Sequence, residues 1–130
     1  MFVDASAIVA ILTREADADK LVERLESAAS PITSAIAVFE AVLGINRKRQ
    51  SGIDQTTRDV TDFLSAANIA LVPIAPEHAG AALDAFSRYG KGQSHPAQLN
   101  LGDCFAYAMA KSRRTSLLFK GDDFAKTDLA

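Results

Sequence analysis

"MFVDASAIVAIL", residues 1–12, places a short apolar run against one carboxylate and then continues as a second apolar stretch. "MFVD" reads as a short buried strand. "SAIVAILTRE", from residue 6, can turn into a helix, with Ser6 as a possible N-cap. A strand that feeds directly into a helix is the first half of an α/β unit, and the rest of the chain repeats the alternation. "ADADKLVERLESAA" sets Leu21 and Leu25 one turn apart with charges on the other face, as a surface helix requires. "PITS" is a second candidate strand. Thr33 or Ser34 can cap the helix "AIAVFEAVLGINRKRQ", which Gly52 is expected to close. "DQTTRDVTDFLSAAN" is a further amphipathic helix and "IALVPI" a further strand. Pro76 suits the first turn of "EHAGAALDAFSRYG", which runs to Gly90. "KGQSHPAQ" is the one clear loop. A helix from about Leu101 to Arg113, the strand "SLLF" and the turn "KGDD" complete the pattern. The strands are continuously apolar rather than alternating, which indicates a parallel sheet buried on both faces. Ligands of such folds lie along the edge where the strands end.

The chain has 130 residues, 48% of them hydrophobic and 23% charged, so one globular domain over residues 1–130 is expected. A net charge of −2 gives the whole molecule no polyanion-binding character, so any contact with nucleic acid needs a local basic patch. One cysteine excludes an internal disulfide framework and a cysteine-based zinc site. The N-terminus lacks the basic region of a signal peptide, and no apolar run approaches the roughly 18 residues a membrane span needs. A soluble, cytoplasmic chain with no membrane partner is expected.

Three carboxylates stand apart from other charges. Asp4 is the only charged residue in 1–13, Glu40 the only one in 27–46, and Asp103 the only one between Lys91 and Lys111. Asp122 and Asp123 follow the last strand. Each has a bland reading. Asp103 can cap a helix and favour its dipole, Asp4 can cap at the strand-to-helix junction, Glu40 can face solvent, and Asp122 and Asp123 suit a turn. Together they ask for more. A buried, unpaired carboxylate costs roughly several kcal/mol unless it is paired, neutralised or metal-bound. No basic residue lies near any of the three in sequence. Clustered carboxylate oxygens without cysteine or histidine suit Mg²⁺ or Mn²⁺ rather than Zn²⁺, which points toward phosphoryl chemistry with an activated water.

The order Asp4, Glu40, Asp103 and Asp122/Asp123 resembles the PIN-domain nucleases. The blocks "FVDASAIVAIL", "TSAIAVFEAVLGI", "YGKGQSHPAQLNLGDCFAYAMAK" and "LLFKGDDFAKTDL" narrow the likeness to the VapC toxins of bacterial type II toxin–antitoxin pairs, over essentially the whole chain. The resemblance implies an α/β fold, a PIN-like three-layer α/β/α sandwich with a central parallel sheet, often as a homodimer. It implies an Mg²⁺-dependent endoribonuclease, with Mn²⁺ able to substitute, that hydrolyses RNA phosphodiesters. Asp4 and Asp103 match the main metal positions, and Glu40 matches the third acid. Asp123 is favoured as the fourth acid and Asp122 stays open. Ser6 matches a small polar residue beside the site. The implied partner is a VapB-type antitoxin.

RNA approaching an acidic pocket requires a basic rim. Arg47, Lys48 and Arg49 form one candidate group, and Lys111, Arg113, Arg114 and Lys120 another. The alternative for each is a solvated helix end. An apolar helical surface near residues 34–70 suits dimerisation or antitoxin capture. His78 and His95 read as surface histidines and Cys104 as a packed small side chain. Receiver-type phosphoryl acceptors and haloacid-dehalogenase-type phosphatases also cluster acids around Mg²⁺. They want a second acid just after the first strand, where this chain has Ala5 and Ser6. A binding module without catalysis is the remaining alternative.

Overall fold

The computed structural model describes residues 1–129. Four two-residue strands, β1 (Phe2–Val3), β2 (Ile32–Thr33), β3 (Ala70–Leu71) and β4 (Leu117–Leu118), form one sheet in the order β3-β2-β1-β4. Every pairing is parallel. Between the strands run helices α1 (Ala5–Leu12), α2 (Ala18–Glu26), α3 (Ala35–Arg49), α4 (Ile53–Ala66), α5 (Glu77–Tyr89) and α6 (Leu101–Ser112). Each crossover is therefore a pair of helices. A short 3₁₀ turn, Phe124–Lys126, follows β4.

Topology fixes the layers. The chain steps from β1 to β2 to β3 in one direction and then returns across the sheet to β4. Right-handed crossovers put α1–α4 on one face and α5–α6 on the other, giving the expected three-layer α/β/α arrangement. The strand order reverses at β1, so the crevice beyond the ends of β1 and β4 is the switch point where such sheets bind ligands.

The central strand β1 is fully buried, as are Leu117 and Leu118 beside it. Phe2, Ile8, Ile45, Leu99, Met109, Leu118 and Phe124 are the large side chains of the core. Burying each contributes about 1.5–3 kcal/mol. The one polar side chain within the strands, Thr33, is buried and donates its hydroxyl to Val3 O at 2.8 Å.

Four sequence expectations change. Of the two cap candidates at the strand-to-helix junction Asp4, and not Ser6, caps the first helix, which begins at Ala5, because the Asp4 carboxylate accepts the Ser6 amide. Gln50, left-handed at φ 55°, ends α3, whereas Gly52 stands at the N-cap of α4. Strand β3 lies at the sheet edge with both residues exposed, so burial on both faces does not extend to it. His78 is buried, not at the surface: its Nδ1 accepts from Ala75 N at 2.8 Å and its Nε2 lies 3.1 Å from Ser112 Oγ. Ser34 caps α3 as expected, and Cys104 is packed in the core.

Candidate active site

Asp4 ends β1 and opens α1, so its carboxylate stands at the mouth of the switch-point crevice. It is buried, and Oδ2 accepts from Ser6 N at 3.0 Å and from Ser6 Oγ at 2.6 Å. Ser6 Oγ in turn accepts from Lys120 N at 3.0 Å. One hydroxyl thus joins the end of β1 to the segment after β4. Burial raises the pKa of Asp4 above the ordinary carboxylate value; the Ser6 bonds oppose that shift, and repulsion from Asp123 adds to it.

Asp103 sits at the third position of α6. Asn100 Oδ1 accepts from Asp103 N and Asp103 Oδ2 accepts from Asn100 N, each at 3.0 Å, which makes a capping box. The helix-cap reading is therefore correct, and it coexists with a place in the pocket. Burial, with repulsion from Asp4, Asp123 and Glu40 and against the Asn100 amide, lifts the Asp103 carboxyl to about 7.

Glu40 projects from α3 onto the first turn of α6 and does not simply face solvent. Residue 102 is glycine there, and a Cβ at that position would lie 2.0 Å from Glu40 Oε1 and 2.2 Å from Oε2. The missing side chain forms the seat of the carboxylate, where α3 and α6 converge. Burial, then repulsion from Asp4, raises the Glu40 pKa.

Asp123, just before the 3₁₀ turn, lines the same pocket and Asp122 does not, although both are exposed. The pocket, about 440 Å³, brings Asp4, Glu40, Asp103 and Asp123 together with Ser6, Asn100, Arg47, Lys48 and Lys120. Its lining holds no histidine or cysteine. Asp4, Glu40 and Asp103 are the oxygen donors a cation would use. Among the described residues, no three Asp, Glu, His or Cys side chains stand close enough together to hold a metal directly. A hard cation that keeps several of its waters fits such a spread-out oxygen set.

The basic rim divides. Arg47 and Lys48 from the end of α3, and Lys120 after β4, line the pocket. The Arg49 guanidinium turns to Leu12 O. Lys111 lies about 12 Å along α6 from Asp103 and pairs with Asp128 at 2.6 Å. Arg113 and Arg114 lie beyond it, past the end of α6.

Sequence reasoning missed three members of the site. Asn100 had a legible signal in the spacing Asn100-x-x-Asp103. Gly102 and Glu15 had none. Glu15, in the α1–α2 connection, accepts from Lys48 Nζ at 2.9 Å and Lys120 Nζ at 3.0 Å. These bonds hold its pKa below the ordinary glutamate value.

Residues 1–129 match the PIN domain family. The chain is similar to a VapC ribonuclease of Rhizobium meliloti (strain 1021), 42% identical over 139 residues, covering 98% of each chain. It is similar to the ribonuclease VapC of Mycolicibacterium smegmatis, 42% identical over 137 residues, covering 100% of this chain and 98% of that one. In structure it is similar to the crystal structure of Mycobacterium tuberculosis VapC20, described as a sarcin–ricin loop cleaving toxin. The TM-score is 0.76 at 13% identity, over 99% of this chain and 95% of that one.

Proposed function

The chain belongs to the PIN-domain family, and from that premise we propose that its carboxylate pocket cuts RNA as the toxin of a type II toxin–antitoxin pair. It is a ribonuclease of the VapC kind, a hydrolase like the relatives it matches. The observation that carries this reading is the convergence of Asp4, Glu40, Asp103 and Asp123 from four separate elements on one pocket.

Asp4, Asp103 and Glu40 would hold a divalent cation of the Mg²⁺ class, in part through its waters, and Mn²⁺ would be able to replace it. When bound, such a cation supplies positive charge to phosphoryl oxygens and lowers the pKa of a water. The donor chemistry supports this choice, since the lining offers carboxylate oxygens and no soft ligand. The chain's own residues do the positioning. Ser6 fixes one oxygen of Asp4, and the Asn100 amide fixes one oxygen of Asp103. Asp103, lifted by burial to about 7, holds a proton at neutral pH more readily than an ordinary aspartate and would have to give it up to ligate a cation. Arg47, Lys48 and Lys120 supply the basic groups that a phosphodiester meets at an otherwise acidic mouth. Water adds at phosphorus and the ester bond to the leaving oxygen breaks. Asp123 is the fourth acid of this reading, because it lines the pocket and Asp122 does not.

Two apolar faces suit the two protein partners of the reading. Phe39, Leu43, Ile53 and Leu71 are exposed around a hollow between α3 and α4. Leu83, Phe86 and Leu101 are exposed around another between α5 and α6. The first, beside Glu40, receives a VapB-type antitoxin. The second receives another copy of this chain, giving a homodimer. No helix among the described residues is long and apolar enough to cross a membrane, and the reading places the chain in the cytoplasm with its RNA and antitoxin.

The test is cleavage of total RNA by the purified chain with Mg²⁺ and with EDTA, beside Asp103→Asn. Metal-dependent cleavage that disappears in the variant supports the reading. Cleavage that persists in EDTA, or in Asp103→Asn, overturns the role given to the carboxylates.

A further inference from the structure

The rim of the pocket contains a charge arrangement that the carboxylate chemistry does not use. Lys48 comes from the last turn of α3, Lys120 from the segment after β4, and Glu15 from the α1–α2 connection. All three line the pocket beside Asp4 and Asp103. Both ammonium groups meet the same oxygen: Lys48 Nζ stands 2.9 Å and Lys120 Nζ 3.0 Å from Glu15 Oε1. Lys120 also stands 3.4 Å from Asp17 Oδ1. Two like charges from distant parts of the chain are thus held together by one anion. The two lysine charges are balanced by Glu15 and Asp17, so this part of the rim presents no net attraction to a polyanion.

The bonds are of the exchangeable kind. The side chains of Lys48, Lys120 and Glu15 are 47%, 35% and 25% exposed, and exposed ion pairs are weak and screened by salt. The geometry that receives a carboxylate oxygen from two sides also suits a non-bridging phosphate oxygen, because both are anionic acceptors of charge-assisted hydrogen bonds. A phosphodiester that enters carries away the reason for Glu15 to stay, and its own negative charge repels the displaced carboxylate.

We propose that Lys48 and Lys120 form a clamp for an RNA backbone phosphate at the mouth of the carboxylate pocket, and that Glu15 keeps the clamp shut in the free chain by occupying the phosphate position. The inference rests on the RNA-cutting reading and adds to it where the strand is gripped and what competes for the grip. It makes Glu15 an internal competitor of substrate, and Lys48 and Lys120 binding residues rather than catalytic ones.

The experiment measures binding of a short fluorescent single-stranded oligoribonucleotide by anisotropy, in EDTA, with Asp103→Asn in every protein so that nothing is cut. Lys48→Ala and Lys120→Ala should each weaken binding several-fold. Each should also reduce the slope of log Kd against log salt by about 0.7, the effect of one lost single-strand phosphate contact. Glu15→Gln should do the opposite, with tighter binding and a steeper slope, because the ammonium pair is released from its resident anion. Melting curves show that each variant is folded, and Lys120→Gln replaces the alanine variant where that one melts early. Binding that is unchanged or weaker in Glu15→Gln overturns the gate, and binding that ignores both lysines overturns the clamp. A separate cleavage assay on the chain with Asp103 intact keeps the two readings apart. Cleavage with no shift among the binding variants removes the clamp and leaves the nuclease. The predicted binding shifts without cleavage remove the nuclease and leave the clamp.

Discussion

Gly102 makes the seat of Glu40: a Cβ at residue 102 would stand 2.0 Å from Glu40 Oε1. The colliding atom is the far end of a flexible side chain, so Glu40 can swing away without disturbing the backbone of α6. Gly102→Ala should therefore fold normally. It should hold its melting temperature or raise it, since alanine in a helix is favoured over glycine by up to about 1 kcal/mol. RNA cleavage should fall about 10- to 100-fold, the cost of displacing a group that orients a metal site. A variant that is stable and fully active would remove Glu40 from the site.

Asp103 makes stability depend on pH. Its carboxyl titrates at about 7 in the folded chain against an ordinary 3.8. The folded state holds the proton more tightly, so this stabilisation is complete below about 3.8 and is lost as pH rises toward about 7. The raised pKa values of Asp4 and Glu40 act in the same direction. In EDTA the melting temperature should decline by a few degrees across that window. Mg²⁺ should restore it at the upper end, because a cation favours the ionised acids. Asp103→Asn should flatten the decline. A profile in EDTA that is level over this range would contradict the crowding of the acids.

Ser6 can be tested apart from the acids. Its hydroxyl donates to Asp4 Oδ2 and accepts the Lys120 amide. Ser6→Ala should cost about 1.5–3 kcal/mol, the range for losing a hydrogen bond to a charged group, seen as a lower urea midpoint. It should also push the Asp4 carboxyl higher, so the acidic limb of the pH–rate profile moves to higher pH. Rescue of both by Ser6→Thr would assign the effect to the hydroxyl.

His78 should matter for stability alone. It joins the start of α5 to the end of α6 through Ala75 N and Ser112 Oγ. His78→Ala leaves the half-buried Ala75 amide without its acceptor, at a cost of about 0.5–1.5 kcal/mol. Cleavage per folded molecule should be unchanged, and a specific loss of kcat would give this histidine a part in the chemistry.

The two apolar faces make separable predictions. Phe39→Asp should abolish capture of a VapB-type antitoxin and leave the dimer intact by light scattering. Leu83→Asp should yield a monomer and leave antitoxin capture in place, because a charge is costly at the buried centre of an interface. The reverse outcome would exchange the two assignments.

The sequence by itself determined the alternation of strand and helix, the apolar strand character of "MFVD" and "SLLF", and the isolation of Asp4, Glu40 and Asp103. Those features follow from local periodicity and from the cost of placing a charge among apolar neighbours. The Asn100-x-x-Asp103 cap was legible in the same way. Tertiary structure decided the rest. The resemblance already favours Asp123 over Asp122, but that Asp123 lines the pocket and Asp122 does not depends on the path of the turn after β4. The exposure of β3 needed the strand order, because an apolar run does not state whether it lies at the centre or the edge of a sheet. Gly102 acquires meaning only from Glu40 on another helix, and Glu15 only from lysines on two other elements. The sequence gives these residues no local signal, because the interactions that define them join segments that meet only when the sheet is assembled.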